Sequence, residues 1–175
     1  LDMISGGRLE LGIGYGWNVE EMANHGLDYS KRRGILREYI LLMKELWTKE
    51  EASYSGKHIS FEKSWAWPKP AQTPHPPILM GGAAGPKTAA HVAEFCDGWM
   101  PIGGMYNFDA GMAKIVEACN NIGRDPASLA LSMFYAMAPE MDELKTLPEK
   151  NIQRAILPLP PSPAAEILPM LDEYA

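Results

Sequence analysis

Apolar and polar positions follow two rhythms along this chain, and the rhythm changes where glycine and proline stand. From Arg8 to Trp17 (RLELGIGYGW) the period is two, with Leu9, Leu11 and Ile13 on one face and Glu10, Gly12 and Gly14 on the other. That pattern predicts a buried strand. Glycines repeated on one face leave space for a flat ligand, another backbone or a tight barrel interior. Before it, Leu1 to Ile4 reads as the tail of a helix closed by Gly6-Gly7. After it, Asn18 predicts the cap of a short helix whose first turn carries Glu20 and Glu21. Ser30 is the expected cap of the strongest helix. One of its stripes is Ile35, Tyr39, Leu42 and Leu46, and the neighbouring one is Leu36, Ile40, Met43 and Trp47.

Between Thr48 and Pro76 the pattern breaks. Ala52 to Tyr54 and His58 to Phe61 flank Ser55-Gly56-Lys57, as in a small β-hairpin. Seven aromatic or proline positions follow: Trp65, Trp67, Pro68, Pro70, Pro74, Pro76 and Pro77. Residues 49–76 therefore read as an insertion, with Trp65 and Trp67 expected to pin it down rather than wall a pocket. Strand and helix then alternate. Pro77 to Met80 is a strand and the helix from Pro86 runs through Ala90, Val92, Ala93 and Phe95. Trp99 to Ile102 is a strand ended by Gly103-Gly104, and Phe108 to Ile122 is a helix stopped by Gly123. Strands over Leu129–Met137 and Ile152–Leu159 follow, with helices at Met141–Leu147 and after Ser162-Pro163. Five apolar strands separated by amphipathic helices predict an α/β fold with a parallel sheet, either a barrel or doubly wound.

Composition narrows the function. With 175 residues, 46% hydrophobic and 22% charged, the chain can bury a core of its own. A net charge of −6 argues against a nucleic-acid surface, which needs a basic stripe. No apolar run reaches membrane-spanning length, and no secretory signal is expected. Cys96 and Cys119 lie in separate helical patterns, as expected of reduced thiols in a cytoplasmic protein. His25, His58, His75 and His91 lack metal-ligand spacing, so no metal is expected.

The chemistry concentrates where the apolar run ends on Gly81-Gly82-Ala83-Ala84-Gly85 and Pro86-Lys87-Thr88 starts a helix. Glycines admit close approach to backbone N–H groups, and a helix N-terminus favours an anion through free donors and dipole. A cofactor phosphate fits that loop. An ordinary tight strand-to-helix turn has the same local pattern.

Five segments in order resemble the luciferase-like flavin- or deazaflavin-dependent oxidoreductases: Ser5-Gly6-Gly7-Arg8 into LGIGYGWN, the Glu38-Tyr39 helix ending Leu46-Trp47-Thr48, Ser55 to Phe61, HPPILMGG, and Asp97 to Pro101. The resemblance implies a TIM (β/α)8 barrel of which this chain supplies strands four to eight, as one domain over residues 1–175 without the first three strands. It implies a cofactor phosphate held by Gly81, Gly82, Ala83 and Ala84, with Lys87 and Thr88 at the helix start. Gly12, Gly14, Gly16 and Trp17 would lie near the ring or substrate, and Gly103 and Gly104 are weaker candidates at the same mouth. It implies coenzyme F420, or alternatively FMN, and hydride transfer or monooxygenation on a small organic substrate. Trp17 stands where deazaflavin-dependent sugar-phosphate dehydrogenases of that family carry a catalytic Glu, which points to an apolar substrate instead. No catalytic residue is assigned: Glu20 and Glu21 read first as helix acids, and His25 and His91 as structural. Open sheet edges predict either a homo-oligomer or a longer native protein, and a non-catalytic, truncated relative acting in binding or assembly is the alternative of another class.

Overall fold

The computed structural model describes residues 1–174. In chain order the elements are α1 (Asp2–Ser5), β1 (Leu11–Ile13), α2 (Val19–Asn24), α3 (Arg32–Thr48), β2 (Ala52–Ser55), β3 (Ser60–Ser64), β4 (Ile78–Gly81) and α4 (Pro86–Phe95). These are followed by β5 (Gly98–Met100), α5 (Phe108–Asn121), β6 (Ala130–Phe134), α6 (Met141–Thr146), β7 (Arg154–Ile156) and α7 (Ala164–Tyr174). One sheet has the order β1-β4-β5-β6-β7, every pair parallel, and β2 and β3 form the antiparallel hairpin. Parallel strands joined through helices put every strand's carboxyl end at the same rim.

Register separates two faces. Ile13, Met80, Trp99 and Leu131 form one row across four strands, and Gly12, Leu79, Gly98 and Ala130 form the next. The first row lies under the helices. Met80 and Trp99 are fully buried there with Val92, Phe95, Ile115 and Cys119, and Trp99 stacks on Phe108 at 5.3 Å between centroids. The second row lines the concave face. Across that face the Arg154 guanidinium of β7 forms a bidentate pair with Glu10, just before β1, its Nη2 donating to Oε1 at 2.9 Å. The first and last strands thus meet through side chains, so the sheet is curled.

Two anchors set the helices. The carboxyl end of α4 is capped by cations from elsewhere. Arg124 Nη1 donates to the carbonyls of Val92, Ala93 and Cys96, and Lys44 Nζ donates to that of Phe95 at 2.7 Å. In α3, buried Glu38 accepts N–H bonds from Lys57, His58 and Ile59 at 2.7–2.9 Å, seating the hairpin turn on the helix. Burial pushes its carboxyl up, but the three amides outweigh that and hold it below the usual carboxylate range. Gly56 has no Cβ because Glu38 and the Tyr54 ring occupy that space.

Several expectations change. The strand expected over Arg8–Trp17 shortens to three residues at a sheet edge, and it is only half-buried. Asp28, not Ser30, caps the turn leading into α3, accepting from the Ser30 N–H at 2.9 Å. The Asp28 carboxylate two residues upstream folds back on that amide as an Asx turn and also accepts from the Ser30 hydroxyl at 2.7 Å, so Ser30 is a donor to the cap rather than the cap. In α3 the stripe of Leu36, Ile40, Met43 and Trp47 faces the core while Tyr39 is exposed. Trp65 and Trp67 do not pin the insertion by burial: they are 73% and 66% exposed, and Trp67 lies under the Lys69 ammonium, 5.1 Å from its ring centroid. Asp2 clamps the proline segment instead, accepting from the Gln72 backbone and side-chain N–H groups at 2.9 and 2.8 Å.

Candidate functional site

The carboxyl rim gathers the residues singled out in the sequence. Gly14, Gly16 and Trp17 follow β1, Gly82 to Thr88 follow β4, and Gly103 follows β5. Because β1 and β4 are neighbours, the first two groups adjoin. Trp17 is 82% exposed at this rim. Gly16 has φ +76°, where glycine is favoured, and Gly14 has open space around it.

The glycine loop divides its labour in a way the sequence does not reveal. Gly82, at φ +89°, makes the turn. Its N–H donates to the Met100 carbonyl at 3.3 Å and its own carbonyl accepts from Trp99 Nε1 at 2.9 Å. Gly81 passes within 3.2 Å of the Ile13 carbonyl at the position a Cβ would take. Both glycines therefore serve the scaffold. Gly85 N–H turns back to the Ala83 carbonyl at 3.1 Å, and Pro86 at the helix start has no N–H to satisfy. That leaves the N–H groups of Ala83, Ala84, Lys87 and Thr88 without an acceptor among the described residues. Four free donors on one loop, at the positive end of α4, are the kind of group that could hold an anion. Among the described residues no heavy atom outside the adjoining residues lies within 4 Å of the position a Cβ would take at Gly82 or Gly85, so the loop is open on those sides.

Gly103 belongs to the same rim but not to the donor set. Its N–H donates to the Phe134 carbonyl at 2.8 Å, and the Tyr135 ring fills the space of its missing side chain.

Beside the glycine loop stands a pair missed as a unit in the sequence. Tyr15 Oη and His91 Nδ1 lie 2.9 Å apart, joining the exit of β1 to α4, with the Arg33 guanidinium 4.9 Å above the Tyr15 ring. Burial holds the His91 imidazole below its usual range, with Glu94 opposing and Arg37 and Arg33 adding to the shift. Burial also raises the Tyr15 hydroxyl, against the Thr88 hydroxyl beside it, so it keeps its proton. A neutral imidazole against a phenol is a fixed hydrogen bond rather than an acid–base pair at neutral pH. Only the 76-residue separation hid it. Glu20 and Glu21 occupy the first turn of α2, which Asn18 caps by accepting from the Glu21 N–H at 2.9 Å. Cys96 and Cys119 are buried free thiols, and burial pushes Cys96 up to about 12, which makes it inert. Among the described residues no cluster of His, Cys, Asp and Glu is arranged to hold a metal ion.

Known proteins are similar to this chain in sequence and fold. The chain is 35% identical to an uncharacterised protein of Mycobacterium tuberculosis over all of its length and 61% of that relative's. It is 29% identical, over 74% of its length and 36% of the relative's, to an F420-dependent hydroxymycolic acid dehydrogenase of the same organism. Among solved structures, a monooxygenase from Streptomyces bottropensis superposes with a TM-score of 0.65 at 23% identity, covering 85% of this chain and 46% of that one. The chain thus spans about three-fifths or less of these relatives, and its curled sheet corresponds to part of a luciferase-like TIM barrel. The model of the luciferase-like monooxygenase family matches residues 1–164. With the family model matching nearly its whole length and the fold in agreement, the chain belongs to the luciferase-like monooxygenase family.

Proposed function

We propose that this chain carries the cofactor-phosphate side of an F420-dependent oxidoreductase, active in hydride transfer with a small organic substrate. The observation that carries the reading is the set of four unpartnered N–H groups on Ala83, Ala84, Lys87 and Thr88 at the catalytic rim of a family whose members are oxidoreductases. The deazaflavin, when bound, supplies the hydride chemistry of its ring. The chain's own residues bind and orient. The loop amides hold the phosphate, Gly82 and Gly81 fix the loop to the sheet, and Tyr15–His91 fixes the neighbouring rim. Gly14, Gly16 and Trp17 form the adjoining wall toward the substrate. FMN presents the same phosphate, and with it the reaction would be monooxygenation.

The test is fluorescence titration of the chain with coenzyme F420 and with FMN. Ala83 is exposed, so Ala83→Asp leaves the fold intact and sets a carboxylate against the phosphate. Binding is expected to weaken about tenfold or more without loss of thermal stability. Equal affinity of wild type and variant, or no binding of either cofactor, overturns the reading; tighter binding of FMN moves it to the monooxygenase.

A further inference from the structure

A second feature of the same rim lies between the loops after β5 and β6. A cleft of about 470 Å³ is lined there by Ile102, Met105, Tyr135, Met137, Glu140 and Glu143, with small residues between them. Its volume suits a small molecule and its wall is mostly apolar. Every charged side chain on the wall is a carboxylate. Of the cations on the adjoining segment, Lys145 pairs with Asp142 at 2.8 Å, and Lys150, which lines a neighbouring pocket together with Glu143, lies over the Phe108 ring and 3.9 Å from Asp109 without an ion pair to Glu143.

Tyr135 decides how one of those carboxylates is presented. Its ring is buried in the space Gly103 leaves, and its hydroxyl donates to Glu143 Oε1 at 3.0 Å. Burial, with the Glu143 carboxylate beside it, pushes the Tyr135 hydroxyl up to about 12, so it remains a donor. One oxygen of Glu143 is thereby fixed and the other has no donor among the described residues. An oriented acceptor of negative charge at the edge of an apolar cleft is complementary to an ammonium group on a hydrocarbon body, and it repels a carboxylate.

We infer that this cleft binds apolar amines in their ammonium form, with the hydrocarbon against Ile102, Met105 and Met137 and the charge at Glu143. That such a ligand is a substrate rests on the oxidoreductase reading above; the cleft's selectivity does not. The two are tested apart, because ligand binding is read without any cofactor. The probes are hexylamine, hexan-1-ol and hexanoate, titrated into the whole chain carrying ¹³C-methyl methionine, with Met105→Leu and Met137→Leu identifying the two resonances. Hexylamine is expected to shift both methyls saturably and to bind about fivefold more tightly than hexan-1-ol, with hexanoate weakest. In Glu143→Gln, a change at an exposed side chain, the three probes should converge while the melting temperature stays that of wild type. Equal binding of amine and carboxylate, unsaturable shifts, shifts confined to Met3 in the apolar cleft beside α1, or an amine preference that survives Glu143→Gln would each overturn the inference.

Discussion

The Tyr15–His91 hydrogen bond shows what one buried titratable residue does to the rim. Burial keeps the folded imidazole below the ordinary histidine value of about 6.5, so on acidification the unfolded chain takes up this proton first. The stability that neutral His91 contributes is complete above that value and declines below it. The melting temperature should therefore begin to fall below about pH 6.5, before carboxylates protonate, and His91→Phe should flatten that segment of the profile. An unchanged profile in the variant would show that His91 is not the group responsible. This pair was not legible as such in the sequence, whereas Ala83 and Ala84 were nominated there only through the family resemblance. A tyrosine and a histidine far apart in the chain meet only once β1 and β4 are neighbours. The glycines were legible, yet for a different reason from the one expected: Gly81, Gly82 and Gly103 make room for or bond to the scaffold, and the donors lie beside them.

Among the elements, the turn of the hairpin is seated on α3 by the Glu38 carboxylate. Glu38→Ala would leave the amides of Lys57, His58 and Ile59 without their acceptor. It should lower the melting temperature by about 5–10 °C and open the 56–59 turn to proteolysis, whereas Glu38→Gln, which keeps one acceptor oxygen, should lose less. Helix and strand identities followed from periodicity, and the hairpin from its turn residues. Strand lengths did not. Leu9 and Tyr15 continue the alternation of β1, but strand hydrogen bonding needs a partner, and β4 offers one only alongside residues 11–13. Capping was likewise half-readable. Asn18 and Asn107 cap α2 and α5 from the position before each helix, but the cations that close α4, Lys44 and Arg124, come from distant segments.

For the whole molecule the decisive fact is that β1 and β7 are unpaired edges of a curled sheet. Open edges and a partly exposed concave face favour association, so sedimentation of the purified chain should reveal species heavier than one chain. A monomer with a single cooperative melt would remove that expectation. The Glu10–Arg154 pair joins these edges, but its side chains are 33% and 50% exposed. Solvent screening makes it weak despite its two-pronged geometry. Arg154→Ala should cost about 1–3 °C in melting temperature, and a larger loss would mean that the pair holds the curl rather than decorating it.

The order of strands and helices, the parallel sheet and the position of the glycine loop all followed from the sequence, because periodicity and turn chemistry are local properties of neighbouring residues. Which amides stay free, which carboxylate is turned toward a cleft, and how far the sheet closes were decided only in three dimensions. Each depends on whether a partner from a distant segment arrives within hydrogen-bond reach, and the linear order of residues does not specify that distance.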